Sequence, residues 1–283
     1  MSEPLATAAA ELLTSARQQY PEGVWYALFS GGHDSLTATA VTMEWAELVG
    51  QPAQVVHINT GIGIPETRKF VRTTCRERGW ELLEYEALPR AEHLRAPGTY
   101  EELVLRFGFP GPAGHTLAYR ALKHRQLERL WREQKLLHPK GSRPVFATGI
   151  RRQESVRRMG YHTESIRRWK GSSWVWVNPL LDWSKAECHE LMEARGLPRN
   201  RVVDLLHMSG ECLCGAFAAR GERDEIRLWF PEVDAYLAEL EQRVYEAGHH
   251  ACVWGARPPD VHQDQQHLFS PLCTSCEVRG GRG

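Results

Sequence analysis

The chain has 283 residues, with 35 Lys+Arg against 35 Asp+Glu, 42% hydrophobic residues and 25% charged ones. This composition excludes a disordered or low-complexity protein, and the length supplies one large domain or two smaller ones. No apolar run approaches the ~20 residues that span a bilayer, and Met1-Ser2-Glu3-Pro4 lacks the basic head and apolar core of a secretory signal. Seven cysteines are an odd count for a disulfide framework. A cytoplasmic location follows as the expectation.

Five short runs, at 24–29, 53–58, 80–85, 145–150 and 174–177, are apolar or β-branched and bounded by Gly, Pro or Asn. Buried parallel strands have this signature. Helical periodicity at 36–49, 65–78 and 117–137 separates them, and Pro65 suits a first helical turn, where its missing N–H costs nothing. The alternation predicts an α/β, Rossmann-like fold: a twisted, mostly parallel five-stranded sheet with helices on both faces. Residues 108–114, rich in Gly and Pro, read as a loop or hinge.

After Asp182 the strand signals stop. The segment 184–195 opens with Ser184 and places Glu187 three residues on, a capping-box pattern. Further helices are predicted at 222–228 and 232–246, followed from Gly248 by an irregular tail. The expected division is a nucleotide-binding α/β domain over 1–183, including an N-terminal helix, and a helical, Cys-containing region over 184–283 packed on it.

The sharpest local signal is Ser30-Gly31-Gly32-His33-Asp34-Ser35, which follows a strand and precedes the helix predicted from Leu36. Glycines let the backbone turn tightly and expose successive N–H groups, and the helix N-terminus adds positive potential. Such a loop cradles phosphate, although a Gly-rich turn is also often only a turn. It is not the P-loop of ordinary nucleotide hydrolases, because no Gly-Lys-Ser/Thr follows at the required spacing.

The net charge of zero conceals an asymmetry. Residues 115–170 hold 15 Lys+Arg against 4 Asp+Glu, leaving the remainder acidic. A block of this kind marks a polyanion partner such as a nucleic acid or ribonucleoprotein, or simply solvated basic helix faces. Cys212-Leu213-Cys214 and Cys273-Thr274-Ser275-Cys276 are two tight thiol pairs, with Cys252 as a further candidate. They suit four soft ligands to zinc or an iron–sulfur cluster, or else are separate buried thiols. Cys75 and Cys188 sit in helical patterns and read as core.

The Ser-Gly-Gly-x-Asp-Ser loop resembles the pyrophosphate loop (PP-loop) of the adenine nucleotide α-hydrolase superfamily, whose fold is HUP-type. Three more segments resemble the phosphoadenylyl-sulfate (PAPS) reductase-like family within it. These are His57-Ile58-Asn59-Thr60-Gly61 to Thr67, Gly149-Ile150-Arg151-Arg152-Gln153-Glu154-Ser155 to Arg158, and Asn178-Pro179-Leu180-Leu181-Asp182-Trp183 to Pro198. The resemblance covers residues 24–198.

The resemblance implies an ATP-using enzyme that cleaves at the α-phosphate, to AMP and pyrophosphate or with adenylyl transfer, assisted by Mg²⁺. Ser30, Gly31, Gly32, His33, Asp34 and Ser35 would hold phosphates, Asp34 also approaching the cation. Asn59, Thr60 and Gly61 lie where nucleotides bind in open α/β sheets. Gly149, Glu154 and Ser155 belong to the motif whose Arg151 and Arg158 form an anion clamp. Glu154 would orient an arginine or accept from a ribose, or act only as an i,i+4 partner of Arg158. Lys123 matches a lysine of the family.

Residues 209–215 resemble the cluster-binding region of DndC-like sulfur-transfer members, which favours [4Fe–4S] over zinc at Cys212, Cys214, Cys273 and Cys276. Two departures argue against classical PAPS reduction. The Glu-Cys-Gly-Leu-His tail of reductases is absent, and no Cys pair stands near His115-Thr116. Alternative settings implied by the resemblance are sulfonucleotide reduction and an accessory nucleic-acid or ribonucleoprotein role, since CysH-like members occur beside type IV CRISPR–Cas systems. The chain is read as binding an adenine nucleotide, with no membrane partner and a dimer as one oligomeric option.

Overall fold

The computed structural model describes residues 2–90, 96–154, 164–168, 172–250 and 252–255. Gly23–Leu28 (β1), Ala53–Asn59 (β2), Leu82–Glu86 (β3) and Arg143–Ala147 (β4) are joined by the short Ile166–Arg168 (β5) and Val175–Val177 (β6). They form one sheet in the order β3-β2-β1-β4-β6-β5, parallel throughout except for the antiparallel β5–β6 pair. All five expected strands are present. The five-stranded expectation is corrected by β5, whose Ile-Arg-Arg sequence has no apolar alternation and becomes a strand only by pairing with β6.

Strand alternation assigns the two faces. Trp25, Val145, Val175 and Val177 bury against helices Ser2–Gln19 (α1) and His33–Leu48 (α2), while Phe29 and Val55 pack with Val71 of Pro65–Glu77 (α3). Tyr26, Val56 and Phe146 point the other way, onto Leu127 and Leu130 of a later helix. Each fully buried Leu or Phe of this kind contributes roughly 1.5–3 kcal/mol. Helix α2 lies deepest. Its Ala and Thr residues permit close approach to the sheet, and Thr37 and Thr42 satisfy their hydroxyls on carbonyls four residues back.

After β3 come Tyr100–Phe107 (α4) and the helical run expected at 117–137. That run is His115–Tyr119 (α5), a π turn over Arg120–His124 and Arg125–Gln134 (α6), closed by a 3₁₀ turn at Lys135–Leu137. Beyond the sheet, the capping box expected at Ser184 and Glu187 is formed at the start of Lys185–Ala194 (α7). Arg201–Leu206 (α8), Glu222–Trp229 (α9) and Pro231–Glu246 (α10) follow. Their apolar faces share one core with Ile62, Ile64, Tyr100, Leu103 and Leu122, so the helical region packs directly on the loop after β2. Trp254 extends that packing, its indole N–H donating to the Leu213 carbonyl at 2.7 Å. No helix among the described residues is long and apolar enough to cross a membrane.

Candidate nucleotide site

From β1 the chain moves outward through β2 and β3 and then returns to place β4 on the other side of β1. The loops leaving β1 and β4 therefore diverge at the carboxyl edge, the topological switch point at which ligands bind in open α/β sheets.

The loop after β1 is closed on itself. The Ser30 N–H and hydroxyl both reach Ser35 Oγ, at 3.2 and 3.1 Å, and Ser35 Oγ donates to the Gly32 carbonyl at 2.8 Å. Gly31 has φ +83° in the left-handed region. Gly32 is the extended N-cap, so α2 starts at His33, three residues earlier than the sequence predicted. The two glycines disguise the start, because Gly-Gly reads as loop. From β4, Gly149 lies directly on this helix start: a Cβ there would come 2.6 Å from backbone atoms of Asp34 and Ser35.

Asp34 occupies the first turn of α2 and receives Arg151 Nη2 on Oδ2 at 2.9 Å. On α7, burial foremost, and then the Asp34 carboxylate, push the Cys188 thiol well up. The Asn178–Trp183 segment braces the arginine loop. Thr148 Oγ1 donates to Asn178 Oδ1 at 2.6 Å, the Arg152 N–H to the Leu181 carbonyl at 2.7 Å, and Arg152 pairs with Asp182 at 2.8 Å. The His33 ring turns inward. Its Nε2 accepts the Asn200 N–H at 3.2 Å and the ring lies 5.5 Å from that of His189. Only its backbone belongs to the loop rim.

At the end of β2, Asn59 is engaged within the protein. Its Nδ2 donates to Glu84 at 3.1 Å, and its Oδ1 accepts from Gly61 N–H at 3.0 Å and from Arg68 at 3.3 Å. Arg72 grips Glu84 through two 2.7 Å bonds, which hold that carboxyl below the usual range. Thr60 is clamped by Glu211. The Thr60 N–H donates to Glu211 Oε1 at 3.0 Å and the Thr60 hydroxyl to the Glu211 carbonyl at 2.7 Å. Lys123, on the π turn, meets Glu211 Oε2 at 3.2 Å. Glu211 thus unites two expected site residues without having been singled out itself. Its position beside the C-x-C string gives no sign of a buried carboxylate.

The neighbouring thiol of Cys214, together with burial, pushes the Cys212 thiol well up. Cys252 lies elsewhere, against the backbone of Gly108. Among the described residues no three His, Cys, Asp or Glu side chains group closely enough to hold a metal. Cys273, Cys276, Ser155 and Arg158 lie outside the described residues. Glu154 closes a 3₁₀ turn begun at Arg152, and its side chain is likewise outside them. Cys75 and Cys188 are buried core thiols, as expected.

Several arginines of the 115–170 block are engaged in the fold. Arg125 donates to the Pro97 carbonyl, Arg129 to that of Glu86 while lying over Tyr85, and Arg143 pairs with Glu22. With Arg151 and Arg152 these bind the protein itself, which reduces the free basic surface.

A pyrophosphate-type loop at the switch point of a six-stranded, mostly parallel sheet defines the adenine nucleotide α-hydrolase class. Residues 25–209 match the phosphoadenosine phosphosulfate reductase domain, and the chain belongs to that family. Among solved structures, NMN synthetase from Francisella tularensis is similar at 15% identity, covering 92% of this chain and 99% of that one, with a TM-score of 0.51. Candida glabrata FMN adenylyltransferase, in complex with FMN and an ATP analogue, is similar at 12% identity, covering 72% of this chain and 61% of that one (TM-score 0.50). Candida auris PAPS reductase is similar at 18% identity over 70% of this chain and 84% of that one (TM-score 0.48). No curated protein matches the chain in sequence.

Proposed function

We propose that this chain binds ATP and cleaves it between the α- and β-phosphates, releasing pyrophosphate with AMP or passing the adenylyl group to an acceptor. The observation that carries this reading is the closed Ser30–Ser35 loop at the head of α2, buttressed by Gly149 and Arg151 from the other side of the switch point. Its backbone N–H groups and hydroxyls suit the β,γ-diphosphate as leaving group. Arg151 adds positive charge where negative charge develops. Arg158 and Ser155 would extend the clamp, and Asn59, Thr60 and Gly61 would border the nucleoside.

The residues present fit Mg²⁺. This cation keeps several waters and takes one or two carboxylates besides substrate phosphates, and Asp34 supplies a carboxylate at the loop. Mg²⁺ would supply charge neutralisation on the diphosphate. For an iron–sulfur cluster or zinc, Cys273 and Cys276 lie outside the described residues, and among the described ones no third ligand joins Cys212 and Cys214. No step is assigned to either. Incubation with α-labelled ATP and Mg²⁺ tests the reading: labelled AMP with pyrophosphate is expected, and ADP with phosphate as main products overturns it. Family membership favours a sulfonucleotide as the second substrate reading, for which sulfite release in a thioredoxin-coupled assay is the test.

A further inference from the structure

Asn200, between α7 and α8, is 2% exposed and all its polar groups are engaged. Its Nδ2 donates to the Gly31 carbonyl at 2.8 Å and lies 3.4 Å from Thr67 Oγ1. Its Oδ1 accepts the Val202 N–H at 3.0 Å, which caps α8. Its own N–H donates to His33 Nε2, and its carbonyl accepts from Asp204. Three of these partners, Gly31, His33 and Thr67, belong to the phosphate loop and to the helix starts that flank it.

In a trans peptide the C=O and the following N–H point in opposite directions. Fixing the Gly31 carbonyl on Asn200 therefore turns the Gly32 N–H away from Asn200. The inner side of the loop is also filled, because a Cβ on Gly31 would come 2.5 Å from Thr67 Cγ2. Gly32 and Asp34 stay partly exposed between the buried Gly31, His33 and Ser35. The loop is thus anchored on its inner side.

We infer that Asn200 is a positioning residue that sets the peptide orientation of the loop, so that the Gly32 N–H is presented to a diphosphate. The inference deepens the nucleotide reading above and rests on it.

Asn200→Ser and Asn200→Asp both retain an N-cap acceptor for Val202, and both remove the amide Nδ2 that reaches the Gly31 carbonyl, the serine hydroxyl sitting one bond shorter. Calorimetric titration with pyrophosphate and Mg²⁺, well below the melting temperature, is expected to show about tenfold weaker binding for the serine variant. The aspartate variant should lose more, because its charge adds repulsion. A purely structural Asn200 would lower the melting temperature and leave pyrophosphate affinity unchanged in the folded protein; that result overturns the inference alone. In the wild type, pyrophosphate should shift the Gly32 amide resonance whether or not the variants fold. Binding without that shift also overturns the inference. A wild type that binds neither pyrophosphate nor ATP overturns the nucleotide reading and the inference together.

Discussion

Arg151 and Asp34 reach each other from opposite sides of the switch point, the guanidinium after β4 meeting the carboxylate in the first turn of α2 at 2.9 Å. The arginine side chain is 6% exposed and the aspartate 21%. A pair so enclosed fixes the separation of the two loops, since deleting either charge leaves the other poorly solvated. It also keeps a carboxylate and a cation at the edge where a diphosphate and its metal would sit.

Asp34→Asn separates these two roles. The amide keeps an acceptor oxygen facing the guanidinium but not the charge, so the variant should be less stable yet still folded by circular dichroism at low temperature. ATP cleavage is expected to fall roughly a hundredfold or more, as when a preorganised charge is removed from a reaction site. Undiminished turnover in a well-folded variant would remove Asp34 from the reaction.

Gly149→Ala tests the contact between the two loops. Its added Cβ would meet the backbone of Asp34 and Ser35 at 2.6 Å, and backbone cannot rotate away. The expected cost is about 1–3 kcal/mol in chemical denaturation, with weakened nucleotide binding. Gly111→Ala is the control. That position has φ −83° and nothing within 4 Å of an added Cβ, so its stability should stay within about 0.5 kcal/mol of the wild type.

What the sequence revealed here was what local chemistry encodes. Buried parallel strands are short apolar runs between turn residues, so β1 to β4 and β6 were legible. β5 was not, because two of its three residues are arginine. The loop after β1 was legible from its glycines, but Gly32 serves as an N-cap and brings His33 and Asp34 into the helix. Asn200 and Glu211 were illegible for a different reason. Their partners Gly31 and Thr60 lie 169 and 151 residues away, and only the packing of the helical region on the sheet edge brings them together.

Glu211 and Lys123 should respond unequally to mutation. The carboxylate side chain is 3% exposed and also accepts the Thr60 N–H, whereas the lysine is 34% exposed and reaches water. Glu211→Ala leaves a buried N–H without its acceptor and should cost about 1–3 kcal/mol. Lys123→Met leaves the carboxylate its bond from the Thr60 N–H but takes away its cation, so it should cost less than Glu211→Ala yet more than an exposed ion pair. Equal losses in urea denaturation would show that the ion pair, rather than the clamp on Thr60, carries the stability.

The final expectation concerns acid. His33 is buried in the first turn of α2, and desolvation foremost, with Arg199 next, lowers its pKa from the usual 6.5 to about 4. His189 contributes to this lowering, while Asp204 and Asp34 act in the opposite sense. A histidine whose folded pKa is depressed binds its proton more readily when unfolded. Its stabilising contribution is therefore complete above pH 6.5 and is lost as pH falls through 6.5 towards 4. Protonation would also place a donor at Nε2, opposite the Asn200 N–H that it now accepts. His33→Gln removes the titration and keeps an acceptor. The wild-type melting temperature should fall more steeply than that of His33→Gln between pH 6.5 and 4, and the two should run parallel above pH 7. Parallel curves across the whole range would mean that His33 is solvated as freely in the folded chain as in the unfolded one.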